Sequence, residues 1–188
     1  MNGTYLRSRA VLWLTAAALL TSLVFGAVFI TLHHTKDLRG EAVESPESPL
    51  SDEQTLAQVV GTARQFVAVG RLRNVVGTYL LQSCQSDDEP PYQGSAYIDF
   101  DVPSITATPA FFRQISAALR ARGWTEGLTP NNHPGGKVLV KDGVSATVYR
   151  NPDVAGRGVL QIYGECRNMT DHRGDATGFV EITDRLRG

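Results

Sequence analysis

The chain has 188 residues, 18 Lys and Arg against 19 Asp and Glu, a formal net charge of −1 and two cysteines. Near-neutrality without a basic block excludes nucleic acid as a partner. Two cysteines and four scattered histidines give no metal-ligand set, and no cofactor motif accompanies them. The residues beyond position 40 suffice for one domain with one core, and they carry 14 basic against 18 acidic residues, a net −4.

From Ala10 to Leu32 the chain has no charge, no proline and one glycine. A run of this length spans a bilayer as a helix, which predicts a single transmembrane signal-anchor over 10–32, a cytoplasmic tail over 1–9 and the lipid bilayer as a partner. A cleavable signal peptide shares the positive start, here Arg7 and Arg9, but its apolar region is roughly 7–15 residues. Here Val28, Phe29, Ile30 and Leu32 continue past the Gly26-Ala27 pair that would precede a cut. Lipid attachment needs a cysteine just after the apolar run, and the first cysteine is Cys84. Flanking charges tie, Arg7 and Arg9 against Lys36 and Arg39. The short leading tail and the cysteine pair break the tie toward a single-pass cell-membrane protein with an extracytoplasmic C-terminal domain.

Residues 33–50 read as a stalk, because Glu41, Glu44, Glu47, Pro46 and Pro49 prevent burial of apolar surface. Residues 51–188 form the domain. Ser51 caps a helix, with Gln54 three residues on and Asp52 and Glu53 in the first turn, and Gly70 ends it. Leu56, Val59, Val60, Ala63, Phe66 and Val67 recur at helical spacing on one face. A strand follows over Val75 to Cys84, then a loop over Gln85 to Gly94. Ala96 to Val102 alternates, with Ala96, Ile98, Phe100 and Val102 on one side and Tyr97, Asp99 and Asp101 on the other.

A second helix opens on Thr108 as cap with Pro109 in its first turn and runs to Gly123. Thr125 to Gly136 reads as loop. Strands over Lys137 to Lys141 and Val144 to Arg150 flank Asp142-Gly143, a strong hairpin signal. After the Asn151 to Gly156 turn, Gly158 to Cys166 forms another strand, and Phe179 to Asp184 a short last one. This order predicts an α+β fold, a two-layer sandwich of a mainly antiparallel sheet with two helices on one face.

Cys84 and Cys166 end strands, and in an exported domain such a pair is bridged; two buried thiols would follow if the domain faced the cytoplasm. In the chain-entropy picture, a bridge closing this loop stabilises by roughly 4–5 kcal/mol. His172 beside Asp171, with Cys166 near in sequence, invites a nucleophile-and-base reading that a bridged cysteine rules out. His133 sits in a loop able to line a groove. Asp99 and Asp101 share a strand face, which permits paired-carboxylate chemistry or calcium binding, while a solvated face is the simpler account. Tyr92, Tyr97, Trp124, Tyr149 and Tyr163 suit either a carbohydrate- or peptide-binding surface or an ordinary core.

The segments Tyr79 to Cys84, Arg122 to Gly127 and Tyr163 to Met169 resemble uncharacterised actinobacterial envelope proteins, anchored by a helix or a lipid, whose small domain holds a cysteine pair. The resemblance spans roughly residues 74 to 185 and implies location and fold, with no assigned activity. No catalytic set is present in the sequence. The leading reading is a membrane-tethered interaction or ligand-binding domain at the cell envelope with an envelope or membrane-protein partner. The alternatives are an envelope hydrolase using Asp99 and Asp101, and an accessory subunit of a membrane complex.

Overall fold

The computed structural model describes residues 48–188, apart from 86–87, 105, 129–132, 134, 176–177 and 188. The expected span at 10–32, the tail at 1–9 and most of the stalk lie outside the described residues. Among those described, no helix is long and apolar enough to cross a membrane.

Helix α1, Asp52–Gly70, begins with a reciprocal cap. The Gln54 backbone N–H donates to Ser51 Oγ at 3.2 Å, and the Ser51 N–H donates to Gln54 Oε1 at 2.8 Å. Its apolar stripe buries Val59, Val60, Ala63 and Phe66. Seven strands follow, namely β1 Val76–Ser83, β2 Tyr92–Asp101, β3 Thr125–Glu126, β4 Lys137–Lys141, β5 Val144–Arg150, β6 Arg157–Tyr163 and β7 Val180–Glu181. They form one antiparallel sheet in the order β3-β4-β5-β6-β2-β1-β7. Helix α2, Thr108–Arg120, and the short α3, Thr183–Leu186, complete the α+β fold.

The register aligns the apolar positions of neighbouring strands. Ile98 sits opposite Gly77 and Leu160, and Ala96 opposite Tyr79 and Ile162. Ile162 in turn faces Ala146, which faces Leu139. This single face joins Phe66 of α1 and Phe112, Ile115 and Leu119 of α2 in one buried cluster. Each fully buried residue of that size contributes roughly 1.5–3 kcal/mol through removal of apolar surface from water.

Several boundaries differ from the sequence expectation. Gly70 does not terminate α1 by its own conformation: it remains helical and Arg71 takes the left-handed cap at φ 49°. Gly70 serves packing instead, since a Cβ there would lie 2.7 Å from Leu72 Cδ2. Thr108 is the first residue of α2 and not its cap, because its hydroxyl donates back to the carbonyls of Pro103 and Ser104. Strand β2 begins at Tyr92, inside the stretch expected to be loop, where Tyr92 pairs with Asn168. Thr125 and Glu126 form β3 against β4 and are not loop. β6 stops at Tyr163, short of Cys166, and the C-terminal stretch divides into β7 and α3. The Asp142-Gly143 hairpin has both residues at positive φ, 47° and 72°, as a type I′ turn requires.

Helix α1 approaches the sheet closely at Gly94, where a Cβ would lie 2.9 Å from the Thr55 carbonyl oxygen. Backbone cannot yield as a flexible side chain does. Gly94→Ala should therefore lower stability by about 1–3 kcal/mol, read as a reduced urea midpoint with unchanged m-value.

Candidate functional site

Side chains alternate across a strand, so the residues between the core positions face away from the helices. On β1, β2 and β6 they form two rows, Leu80, Ser95 and Tyr163, then Thr78, Tyr97 and Gln161. A cleft of about 380 Å³ is lined by Leu80, Ser95, Tyr97, Gln161 and Tyr163 on this floor, with His172, Arg173, Asp175 and Phe179 from the chain between β6 and β7. That volume falls within the roughly 300–1,000 Å³ of small-ligand sites. A gap of about 140 Å³ is lined by Tyr79, Leu80, Leu81, His172, Asp175, Gly178 and Val180. The cleft and the gap share Leu80, Leu81, His172 and Asp175.

His172 is 7% exposed and ties distant parts of the chain together. Its Nδ1 lies 2.6 Å from Asp175 Oδ2 and its Nε2 3.1 Å from Asp52 Oδ1 in the first turn of α1. Asn168 Nδ2 donates to the same Asp52 oxygen at 2.7 Å, and Tyr92 packs edge-on against the imidazole at 5.1 Å. Donating to both carboxylates requires a proton on each ring nitrogen. Burial disfavours that charged ring, but the hydrogen bonds to Asp175 and Asp52 and their charges prevail and hold its pKa above the usual imidazole value. Asp52 is held below its ordinary value, first by the Asn168 hydrogen bond and further by His172.

The neighbouring charges are also matched. Arg173 grips Asp171 with Nη2 to Oδ2 at 2.7 Å and Nε to Oδ1 at 2.9 Å, and the Asp171 carboxyl is pulled down to about 2 by these hydrogen bonds. The Tyr79 hydroxyl differs, being buried without a hydrogen-bond partner among the described residues. Burial, then the charge of Asp52, pushes its pKa up to about 12, so it remains protonated.

The residues singled out from sequence divide between the cleft and other parts of the domain. Cys84 and Cys166 are joined, with Cα atoms 6.0 Å apart, and no nucleophile remains there. His172 turns to Asp52 and Asp175, while Asp171 turns to Arg173. Asp101 lies 2.5 Å from Arg157 Nη1, and Asp99 lies 3.8 Å from Arg157 Nε. Hydrogen bonds from Asn74 and Arg157 lower the Asp101 pKa, the reverse of what a general acid needs. Trp124 belongs to the core, 5.4 Å edge-on from Phe66, with its indole N–H donating to Gln65 Oε1 at 2.8 Å. His133 stacks on Tyr149 at 3.5 Å and 14°, covering a buried ring. Among the described residues, no group of three or more His, Cys, Asp and Glu side chains is placed to hold a metal ion.

Tyr92, Tyr97, Tyr163 and His172 do reach the cleft. Ser95, Gln161 and Phe179 of the cleft, and Tyr79 of the adjoining gap, were missed, because such residues are defined by strand pairing that one strand's alternation does not specify. The signal available was the polar half of β2, which becomes a floor only once β1 and β6 are set beside it.

Comparison with known proteins bears on the same domain. Residues 51–185 match the model of a family described as "Putative lipoprotein LppJ". Proteins of that description from Mycobacterium tuberculosis strains CDC 1551 and H37Rv are each 36% identical over 138 residues, covering 73% of this chain and 72% of theirs. One from Mycobacterium bovis is 37% identical over the same length and shares of chain. No solved structure matches.

Because the folded pKa of His172 is raised, its stabilising effect is fully present below the ordinary imidazole value of about 6.5 and is lost as pH rises through the folded value. Urea unfolding of the full chain from about pH 6 to about pH 9 should show a decline on the alkaline side that His172→Asn flattens. An equal decline in the variant would show that the clamp does not contribute.

Proposed function

The chain belongs to the LppJ family, and on that premise we propose that it is a membrane-tethered binding domain of the cell envelope. In this reading the run 10–32 anchors it, residues 33–50 form the stalk, and residues 51–188 form an extracytoplasmic domain whose contact surface is the cleft over β1, β2 and β6. The description of the relatives as lipoproteins supports membrane attachment. The Cys84–Cys166 bridge supports an oxidising compartment. The route of attachment in this reading is the uncharged run 10–32 itself, which is long enough to span a bilayer as a helix.

The cleft carries the binding reading. A sheet with one face sealed by helices leaves a concave, half-buried floor of tyrosine, glutamine and serine, flanked by side chains brought from elsewhere in the chain. Catalysis has less support, because Asp99 and Asp101 are committed to Arg157 and are not among the residues lining the cleft. An accessory-subunit role would place the contact on the anchor, and no feature of the domain favours it over the cleft.

Impermeant maleimide applied to intact cells should label Cys84 and Cys166 only after an impermeant reductant. Labelling that needs lysis but no reductant would place the domain in the cytoplasm and end this reading. A photo-crosslinking residue at Gln161, on the cleft floor, should yield adducts in intact cells, whereas one at the exposed Gln114 of α2 should not. Equal yields from the two positions, or none from Gln161, would remove the cleft as the contact surface.

A further inference from the structure

Resting on the cleft as a binding surface, we propose that its ligand is a neutral saccharide segment, one hydroxyl of which enters the side gap and hydrogen-bonds the Tyr79 hydroxyl. Four observations carry this. The floor mixes apolar and aromatic surface, Leu80, Tyr97 and Tyr163, with groups that both donate and accept, Ser95 and Gln161. A sugar ring presents that same mixture, one face of C–H groups and a rim of hydroxyls that donate and accept.

The basic groups around the cleft are already spent on carboxylates. His172 is held by Asp52 and Asp175, and Arg173 by Asp171. An anionic ligand would have to break one of these pairs and would also meet the Asp88 carboxylate in the lining. A neutral ligand displaces nothing.

Over β2 and β6 the floor is a sheet face and not a sheet edge: both strands are paired on both sides, so they offer no backbone ladder to an extended peptide, and only β1, paired with β7 at Thr78 and Tyr79 alone, has an outer side. Side chains must supply recognition here.

The orphaned Tyr79 hydroxyl supplies the fourth observation. It is buried and unpartnered among the described residues, and Tyr79, on the core side of β1, is one of the residues lining the gap that shares Leu80, Leu81, His172 and Asp175 with the cleft. A buried hydroxyl without a partner is destabilising, and such a group in a folded protein calls for a role. A ligand hydroxyl reaching past Leu80 would satisfy it.

The test is calorimetric titration of the full-length chain in lipid nanodiscs with maltotriose, cellotriose and trialanine, using wild type and three variants. Phe179→Ala alters a residue that is 70% exposed, so the fold is spared, and it should weaken saccharide binding. Tyr79→Phe removes only the orphaned oxygen and should weaken it about fivefold while leaving the unfolding midpoint unchanged or higher. Arg113→Ala, on the exposed side of α2, should change nothing. Saccharide binding that ignores Phe179→Ala and Tyr79→Phe overturns the placement. Trialanine binding without saccharide binding overturns the chemistry and leaves the cleft standing as a peptide site. Binding of none of the three also overturns the saccharide, and the Gln161 crosslink then decides separately whether the cleft is a contact surface at all.

Discussion

Both helices pack on one face of the sheet, and this asymmetry sorts every strand residue into one of two populations. Along β2, Ala96, Ile98 and Phe100 are forced under α1 and α2, and Ser95, Tyr97, Asp99 and Asp101 are forced outward. A shift of one residue in register would exchange the two sets, so burial of the apolar set fixes the position of the polar one. The cleft floor is therefore a by-product of core formation. Its tyrosines and glutamine are placed by the burial of their neighbours on the opposite face of the sheet.

Two kinds of side chain occupy the outer face. Around β6 and the end of β2, Arg157 gathers Asp99 and Asp101, and Asn74 and Asn151 add further hydrogen bonds to the same carboxylates. Nearby, His133 and Tyr149 stack. These groups satisfy one another and close that part of the face. Over β1 and β2 the outward residues are short or uncharged and leave space, and the long-range contacts of His172 position the flank of that space. The division between closed and open parts follows from whether neighbouring outward residues carry opposite charges.

Elements held by local signals were legible in the sequence. The Ser51 and Gln54 cap, the apolar stripe of α1, the alternation of β2 and the Asp142-Gly143 turn each depend on residues within a few positions of one another. What stayed hidden depends on pairs far apart. Asp52 reads as an ordinary acidic residue at a helix start, and nothing local reveals that His172, 120 residues away, completes it. Thr108 satisfied the pattern of a cap but bonds backward to Pro103 and Ser104. Gly70 fitted the profile of a terminator, whereas its lack of a side chain makes room for Leu72. Tyr79 carries no signal of its own in the sequence, because an unpartnered hydroxyl is a property of surroundings.

The point where the chain enters the domain is fastened in an instructive place. The Leu50 N–H donates to the Arg167 carbonyl at 2.9 Å, and the Arg167 guanidinium donates to the Ser48 carbonyl at 2.7 Å. Arg167 follows Cys166, whose bridge to Cys84 reaches the chain just beyond the end of β1. A mechanical load arriving at Ser48 is thus shared between the helix cap at Ser51 and a covalent link into the sheet. A pull on Ser48 is borne in part by β1 and β6, the two strands that flank β2 in the cleft floor, so force and binding would meet in the same part of the sheet.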